Sequence, residues 1–324
     1  MSKAKKIWFI VAASLILLGG VIFVSIMSIF KWDFSKLSTN KYDYVTHDIY
    51  EDFSNISIDI DTADVTFLPT NDSAAKVVCF ETKKRPHSTR VEDGTLYIDA
   101  KKDLAWYEYI EINFKTPELT VYLPKEEYSS LIIKGNTGDI EIPNSFHYSF
   151  HFENVDISLS TGDVEYSASA SRSVKISANT GDVEIKGASA DSFELKTSTG
   201  KISVCESVCT DLSVTVSTGK AHISDVRCGT LTSSGDTGDI SLNNVIAEES
   251  FSIERSTGDV RLDNCDAGEI FIETDTGNVT GSLLSEKIFV TQTSTGKISL
   301  PDTRSGGYCK ITTSTGNIRI QYAN

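Results

Sequence analysis

Acidic side chains alternate along three short stretches in the middle of this 324-residue chain. In each stretch an aspartate directly follows a Thr-Gly pair, and a glutamate comes two residues later. The six residues are Asp139, Glu141, Asp163, Glu165, Asp182 and Glu184. Carboxylate oxygens are ligands that Ca²⁺ prefers, so side-by-side packing of these stretches would create a candidate calcium site. The alternative is a solvated acidic surface on which the aspartates complete turns and nearby lysines supply counter-charge.

Other copies of the same phrase argue against a continuous calcium ladder. Lys201, Lys220 and Lys297 occupy the aspartate position there. The phrase also lacks the paired glycines of the calcium-binding nonapeptide repeat. We therefore predict no resident cofactor and keep Ca²⁺ as the one metal to test on the acidic strip.

The Thr-Gly pair itself recurs ten times. Its glycines are Gly138, Gly162, Gly181, Gly200, Gly219, Gly238, Gly258, Gly277, Gly296 and Gly316. After the first interval the spacing is 19 or 20 residues, and so regular a period indicates a repeat architecture. Because glycine tolerates backbone angles that other residues avoid, we assign these ten glycines to structural turns.

The alternation of apolar residues defines the shape of each repeat. Val174 and Ile176 lie seven and five residues before Gly181, and Val183 and Ile185 lie two and four residues after it. Each pair belongs to a strand with one buried face, but the two pairs are out of phase, so the chain must turn at the glycine. This parity also predicts that the threonine before each glycine points inward.

Two short strands and two bends in 19 residues form one coil of a parallel β-solenoid. A β-propeller blade needs about 40 residues, so the period is too short for that fold. We predict an all-β protein with about ten such coils, roughly 48 Å long at the usual strand spacing. Ile288 and Val290 stand at shifted positions before Gly296, which predicts a β-bulge there.

Residues 7–30 form an uncharged, strongly apolar run. Its 24 residues exceed the roughly 20 that a transmembrane helix needs. The sequence Ser28-Ile29-Phe30 that ends the run is a poor signal-peptidase site. Lysines before the run favour a cytoplasmic amino terminus. We predict an uncleaved signal anchor, with cleavage as the alternative, and place everything after residue 30 outside the cytoplasm.

The remaining segments follow from these boundaries. We assign residues 1–6 to a cytoplasmic tail, 31–50 to a linker, 51–124 to a β-rich cap or first coils, and 125–324 to the solenoid. Residues 31–324 contain 27 basic and 45 acidic side chains. This excess of negative charge argues against a nucleic-acid partner, because phosphates require a basic surface.

The six cysteines permit two interpretations. An even number outside the cytoplasm allows disulfides. However, Cys209 and Cys228 lie nine residues after a repeat glycine, where Ala190, Ala247 and Ala267 also lie. Such a column is typical of small buried side chains, so we favour free thiols and keep a disulfide as the alternative. No Cys-x2-Cys pair or neighbouring histidine indicates zinc.

Little in the sequence points to catalysis. The five histidines are scattered, and only His147 and His151 could share a strand face. No nucleophile accompanies them, and phosphate-loop and nucleophile-elbow motifs are absent. An enzyme acting on polysaccharides would need clustered acids or bases that interrupt the repeat.

Three features together resemble a known family: the stretch LTVYLP over residues 119–124, LIIKGNTGDIEI over residues 131–142, and the successive S-T-G-D/K/N phrases. They resemble a bacterial domain-of-unknown-function family described as β-strand-repeat putative adhesins. The resemblance covers residues 50–324 and implies a solenoid in the cell envelope. Family members are often membrane-anchored, and some are associated with envelope stress. The resemblance implies no catalytic residues.

We therefore predict a non-catalytic, membrane-anchored extracytoplasmic solenoid that acts as an adhesin or scaffold. Its partners would be the membrane, through residues 7–30, and a cell-wall polymer or an envelope protein. One alternative is an accessory or sensory subunit of an envelope-stress system, and a second is a polysaccharide-active enzyme. The strand after Gly316 lacks a visible cap, which predicts end-to-end self-association through the C-terminal coil.

Overall fold

The computed structural model describes residues 3–33, 41–100, 116–124, 127–144 and 150–323. Within these residues one helix precedes 24 strands. They are α1 Lys3–Ile29, β1 Tyr42–Ile49, β2 Asn55–Thr62, β3 Asp64–Pro69, β4 Ala75–Thr82, β5 His87–Glu92, β6 Thr95–Ala100, β7 Glu118–Leu123, β8 Glu127–Thr137, β9 Ile140–Ile142, β10 His151–Thr161, β11 Val164–Tyr166, β12 Ser169–Thr180, β13 Val183–Lys186, β14 Ser189–Thr199, β15 Ile202–Cys205, β16 Val208–Thr218, β17 Ala221–Thr237, β18 Ile240–Thr257, β19 Val260–Thr276, β20 Val279–Leu283, β21 Lys287–Thr295, β22 Ile298–Ser299, β23 Gly307–Thr315 and β24 Ile318–Tyr322.

The predicted parallel β-solenoid is confirmed. Strands before each Thr-Gly pair align in parallel with their counterparts one repeat away, so that Ile157 faces Ile176. Strands after the glycine form a second parallel ladder, in which Val183 faces Ile202. Alternate side chains point between the two ladders, as at Val174 and Ile176, and build one continuous apolar core.

The Thr-Gly corner is held by close backbone stacking. A Cβ on any of the ten glycines would lie 1.7–2.0 Å from a carbonyl oxygen of the neighbouring coil. At Gly219, for example, that oxygen belongs to Gly200 and lies 1.8 Å away. Gly277 and Gly296 meet the same obstruction without a left-handed φ, so close approach is the shared reason for glycine. The preceding threonines are exposed, and their predicted inward orientation is wrong because the chain leaves the core one residue earlier.

A second corner lies six residues after several of these glycines, and sequence reasoning did not find it. Its residues have a left-handed backbone with φ between 52° and 63°. They are Gly187, Glu206, Asp225, Asn244 and Asn264. Asn and Asp tolerate this conformation, so the position does not depend on glycine and leaves no regular motif.

The N-terminal end of the solenoid is covered. Strands β2 and β3 form the first coil, in which Thr62 aligns with Thr137 and Ala63 stands at the glycine position. Strand β6 pairs with β2, and β7 pairs with β3. Antiparallel pairing then joins β4 to both β1 and β7, and β5 to β6. This cap occupies the edge that the first coil would otherwise expose.

The last two coils stack in the reverse of their sequence order. Strands β23 and β24 pair with β19 and β20 on one side and with β21 and β22 on the other. The C-terminal coil is therefore enclosed, and the earlier coil formed by β21 and β22 lies at the end. This corrects the prediction that the C-terminal coil is the bare one. The enclosed coil buries Cys309, Ile311, Ile318 and Ile320.

The end coil is also regular. Strand β21 pairs with β23 without a break from Lys287 to Thr295, so the predicted bulge is wrong. Phe289 and Thr291 occupy the inward positions, and Ile288 and Val290 point outward. Thr291 stands where most other coils carry an apolar residue, and a polar inward residue is least costly at the end of the stack, where water reaches it.

Helix α1 is long and apolar enough to cross a membrane, from Lys5 to Ile29. Its most apolar window contains no buried residue. A membrane anchor and a signal sequence share this character, so length and composition alone do not separate the two.

Candidate functional site

The predicted acidic strip forms two columns on the solenoid surface. In one column Glu165 aligns with Glu141 on one side and with Glu184 on the other. In the other column each aspartate accepts a hydrogen bond from the backbone of the next coil. The N–H of Asp163 donates to Asp139 Oδ1 at 2.8 Å, and the N–H of Asp182 donates to Asp163 Oδ1 at 2.7 Å. One carboxylate oxygen of each of these two aspartates is therefore already occupied by a backbone hydrogen bond.

The same ladder continues where the residue is not acidic. Asn278 Oδ1 accepts the N–H of Asn317, and Asn317 Oδ1 accepts that of Lys297. An amide thus replaces the carboxylate, so the ladder does not require negative charge. In the described part of the chain, no three ligand atoms of the acidic strip lie within 4.8 Å of one another. These observations favour a structural role for the aspartates, and calcium binding stays a prediction to test.

The four histidines in the described residues do not form a site with one another. His151 begins β10 and is half-buried, and His47 and His222 are also half-buried on separate strands. His147 lies outside the described residues, so its predicted pairing with His151 has no structural description. His87 differs because it is buried beside other reactive side chains.

All six cysteines are free thiols, and five of them are buried. The predicted column of small residues lies inside the solenoid, with Cys209 and Cys228 stacked between Ala190 and Ala247. Burial raises the pKa of the Cys309 thiol to about 12 and that of Cys265 to about 11. Such thiols are protonated and inert at neutral pH.

One buried cluster in the cap combines three different donor groups. Along β4 the inward residues are Ala75, Val77 and Cys79, and Glu81 continues the same series. A carboxylate therefore lies on a core face. Its Oε2 accepts the backbone N–H of His87 at 2.6 Å and lies 2.8 Å from His87 Nδ1. One ligand atom from each of Cys79, Glu81 and His87 lies within 4.8 Å of the other two.

Sequence reasoning missed this cluster because it fits no short metal motif. The available signal was the parity of Glu81, which follows the apolar positions of β4. His87 Nε2 is buried without a hydrogen-bond partner. Burial and the negative charge of Glu81 raise the pKa of Cys79 to about 12.

The open end of the solenoid, residues 287–322, comprises the end coil formed by β21 and β22 and the outward side chains of the neighbouring coil formed by β23 and β24. It exposes apolar side chains. Ile288 and Val290 are 50% and 48% exposed on the outward face of β21. Tyr308 lies beside them on β23, and its ring is 5.8 Å from that of Phe271. Ile298 occupies an inward position and is still 44% exposed, because no coil covers it. Among the described residues β21 has one partner strand, β23, so its other edge is free.

Charge is distributed unevenly between this end and the rest of the chain. Residues 287–324 contain five basic side chains and one acidic side chain, whereas residues 41–286 contain 20 basic and 43 acidic ones. Lys287 is buried, and its Nζ lies 2.7 Å from Asp266 Oδ1. The other four are exposed: Lys297, Arg304, Lys310 and Arg319. A positive end on an acidic solenoid attracts anions locally.

Comparisons with solved structures found matches at low sequence identity. A putative adhesin from Parabacteroides distasonis is 10% identical over 87% of this chain and 98% of its own, with a TM-score of 0.49. A putative lipid binding protein from the same organism is 15% identical over 88% and 98%, with a TM-score of 0.48. A putative adhesin from Bacteroides fragilis is 16% identical over 86% and 97%, with a TM-score of 0.41. No curated protein matches the chain.

The family comparison covers the solenoid in two overlapping parts. The family described as Toastrack DUF4097 matches residues 53–229 and again residues 206–324. Together these ranges include the first coil, the cap strands β4 to β7, all ten Thr-Gly corners and the open end. The predicted resemblance to a domain-of-unknown-function family is confirmed, and the chain belongs to the Toastrack DUF4097 family.

Proposed function

We propose that this protein is a non-catalytic binding module of the cell envelope. Residues 7–30 anchor it in the membrane, the solenoid lies outside the cell, and the open end captures an anionic wall polymer. The observation that carries this proposal is the open end itself, where a free strand edge, exposed apolar residues and four exposed cations coincide.

The charge distribution supports an anionic ligand at this end and not along the sides. The body of the solenoid is strongly acidic, so its surface repels phosphate or carboxylate groups. Lys310 on β23 lies next to Val290 in the strand register, and Arg319 on β24 lies next to Ser299. Lys310 and the exposed apolar residues of β21 thus share one outward face, which suits a polymer with both charged groups and a carbon backbone.

Burial supports binding without catalysis. In the part of the chain that the structure describes, the one cluster that combines a thiol, an imidazole and a carboxylate is Cys79, Glu81 and His87. The Cys79 side chain has no exposed surface. A polymer cannot reach it, so this cluster is unsuited to act on an external substrate.

The test is co-sedimentation of the full-length protein, in detergent, with isolated cell walls. The triple variant Lys297→Glu, Lys310→Glu, Arg319→Glu reverses three of the four exposed cations. If each exposed ion pair contributes about 0.5 kcal/mol, the variant should bind about tenfold or more weakly. Binding of the wild-type protein should also weaken as salt is raised.

The matched control is Lys175→Glu, Lys201→Glu, Lys220→Glu, which changes net charge equally in the middle of the solenoid. Lys201 and Lys297 occupy the same position after a repeat glycine. The control should bind nearly as well as the wild-type protein. Equal losses in both variants, or wall binding that is independent of salt, would contradict the proposal.

The free edge of β21 favours one alternative. An extended segment of another protein can add to such an edge by backbone hydrogen bonds. The protein would then be an accessory or sensory subunit of an envelope-stress system, or would associate with a second copy through the open end. Cross-linking in membranes would then capture one stoichiometric partner protein, and the protein would not bind cell walls.

A further inference from the structure

A buried carboxylate needs compensation for its lost hydration. Glu81 is 5% exposed and lies on the core face of β4, after Ala75, Val77 and Cys79. His87, at 7% exposure, supplies a backbone N–H and one ring nitrogen. These contacts occupy one carboxylate oxygen, Oε2, and leave the His87 Nε2 atom buried without a partner.

The donor set is the one that zinc prefers. Zn²⁺ binds thiolate sulfur, imidazole nitrogen and carboxylate oxygen, usually with tetrahedral geometry. Cys79, Glu81 and His87 offer one of each, with ligand atoms within 4.8 Å of one another. A thiolate ligand disfavours Ca²⁺ and Mg²⁺, which require oxygen donors.

We propose that Cys79, Glu81 and His87 form a zinc site that fastens the connection between β4 and β5 in the cap. On binding, Zn²⁺ displaces the thiol proton of Cys79, which passes to solvent. One thiolate, one carboxylate and a neutral imidazole then balance the two positive charges of the metal. A neutral assembly is the form that a buried site tolerates best. A water molecule can complete the four-coordinate shell.

The arrangement has a second chemical interpretation, which burial disfavours. A carboxylate bonded to Nδ1 of a histidine, with a cysteine nearby, resembles the geometry of a catalytic triad. A triad must reach its substrate, and Cys79 is completely buried. A metal ion, in contrast, can enter while the cap folds.

The site would stabilise the cap, because it lies between strands that pair with different partners. Strand β4 pairs with β1 and β7, and β5 pairs with β6, so the cluster links two separate strand pairs of the cap. The cap in turn covers the first coil. Metal binding would therefore strengthen the capped end of the solenoid.

The experiment measures zinc and cobalt binding by the full-length protein in detergent after treatment with a chelator. We expect the chelator-treated protein to bind one equivalent of added zinc, measured by elemental analysis. Its melting temperature should be higher with zinc than without. Co²⁺ is the spectroscopic probe, because a thiolate ligand gives an intense near-ultraviolet charge-transfer band. Cys79→Ser should abolish the band and weaken zinc binding more than ~100-fold. Cys309→Ser is the matched control, since Cys309 is equally buried, and it should bind as the wild type does.

A second variant keeps the test decisive if Cys79→Ser does not fold. His87→Gln retains a hydrogen-bonding side chain next to Glu81 but lacks an imidazole ligand, and it should lose the zinc-dependent rise in melting temperature. Three results would overturn the proposal: no stoichiometric zinc in the wild type, a cobalt spectrum without a thiolate band, or equal zinc affinity in wild type and His87→Gln. The last two would indicate adventitious metal and a simple buried Glu81–His87 pair.

Discussion

The two ends of the solenoid differ in whether the edge of the terminal coil is covered. At the N-terminal end, five strands of the cap cover the first coil. At the other end, β21 keeps a free edge, and the inward residue Ile298 remains almost half exposed. Free strand edges invite association, so proteins usually protect them. The difference indicates that the capped end stabilises the fold, and it supports the proposal that the open end binds a partner.

The largest expected effect is the loss of stability on replacing a corner glycine by alanine, which should be greater inside the stack than at the open end. Gly219→Ala would place a Cβ 1.8 Å from the Gly200 carbonyl oxygen in the middle of the stack. Because coils on both sides fix that backbone, we expect a loss of at least ~4 kcal/mol and failure to fold. Gly296→Ala meets a similar obstruction at 1.9 Å, but its coil has a neighbour on one side and can fray.

Hydrogen exchange with mass spectrometry measures both outcomes. Gly296→Ala should increase exchange in residues 287–300 and leave the rest of the solenoid protected. Gly187→Ala is the control, since Gly187 has a left-handed φ of 63° but an added Cβ would meet no atom within 4 Å. It should cost about 1 kcal/mol. Equal destabilisation by Gly187→Ala and Gly219→Ala would show that φ, and not close stacking, governs the corner.

The next effect compares two phenylalanines at the same position of the repeat. Phe193 and Phe289 both lie seven residues before a corner glycine, but Phe193 is fully buried and Phe289 is only partly buried. Phe193→Ala should cost about 3–5 kcal/mol. Phe289→Ala should cost much less, because water already reaches the end coil. Chemical denaturation measures the difference, and equal losses would mean that the open end is covered in solution.

A smaller effect concerns association at the free edge. Val290→Lys places a charge on the outward face of β21 and should change the free energy of unfolding by less than about 0.5 kcal/mol. It should nevertheless reduce concentration-dependent association in sedimentation velocity. The control is Ile132→Lys, at the same repeat position near the capped end and 39% exposed. If both variants behave alike, the open end is not the surface of self-association.

The smallest expected effect concerns the acidic strip. Asp163→Asn keeps an acceptor for the backbone of Asp182, as Asn278 does for Asn317, and should change the melting temperature little. Millimolar Ca²⁺ should leave the melting temperature of wild type and variant unchanged, because the strip lacks a preformed ligand set. A calcium-dependent rise that Asp163→Asn removes would instead identify the strip as a metal site.

Most of the repeat could be predicted from sequence because its pattern is local. The alternation of apolar residues predicts which side of a strand is buried, as at Val174, Ile176, Val183 and Ile185. The spacing of the glycines predicts where the coils turn. The second corner escaped prediction because Glu206, Asp225 and Asn244 share a backbone conformation without sharing a side chain. The candidate zinc site escaped because Glu81 resembles an ordinary polar strand residue until its face is known.

The sequence by itself therefore determined the solenoid, its period and the apolar N-terminal helix, since each leaves a regular pattern of residue types along the chain. Only the tertiary structure decided which coil ends the stack. That choice depends on competition between two coils for the surface of β19 and β20, and the coil with Ile311, Ile318 and Ile320 fits the enclosed position. The coil with Thr291 is left at the open end, because a half-polar coil loses least by facing water.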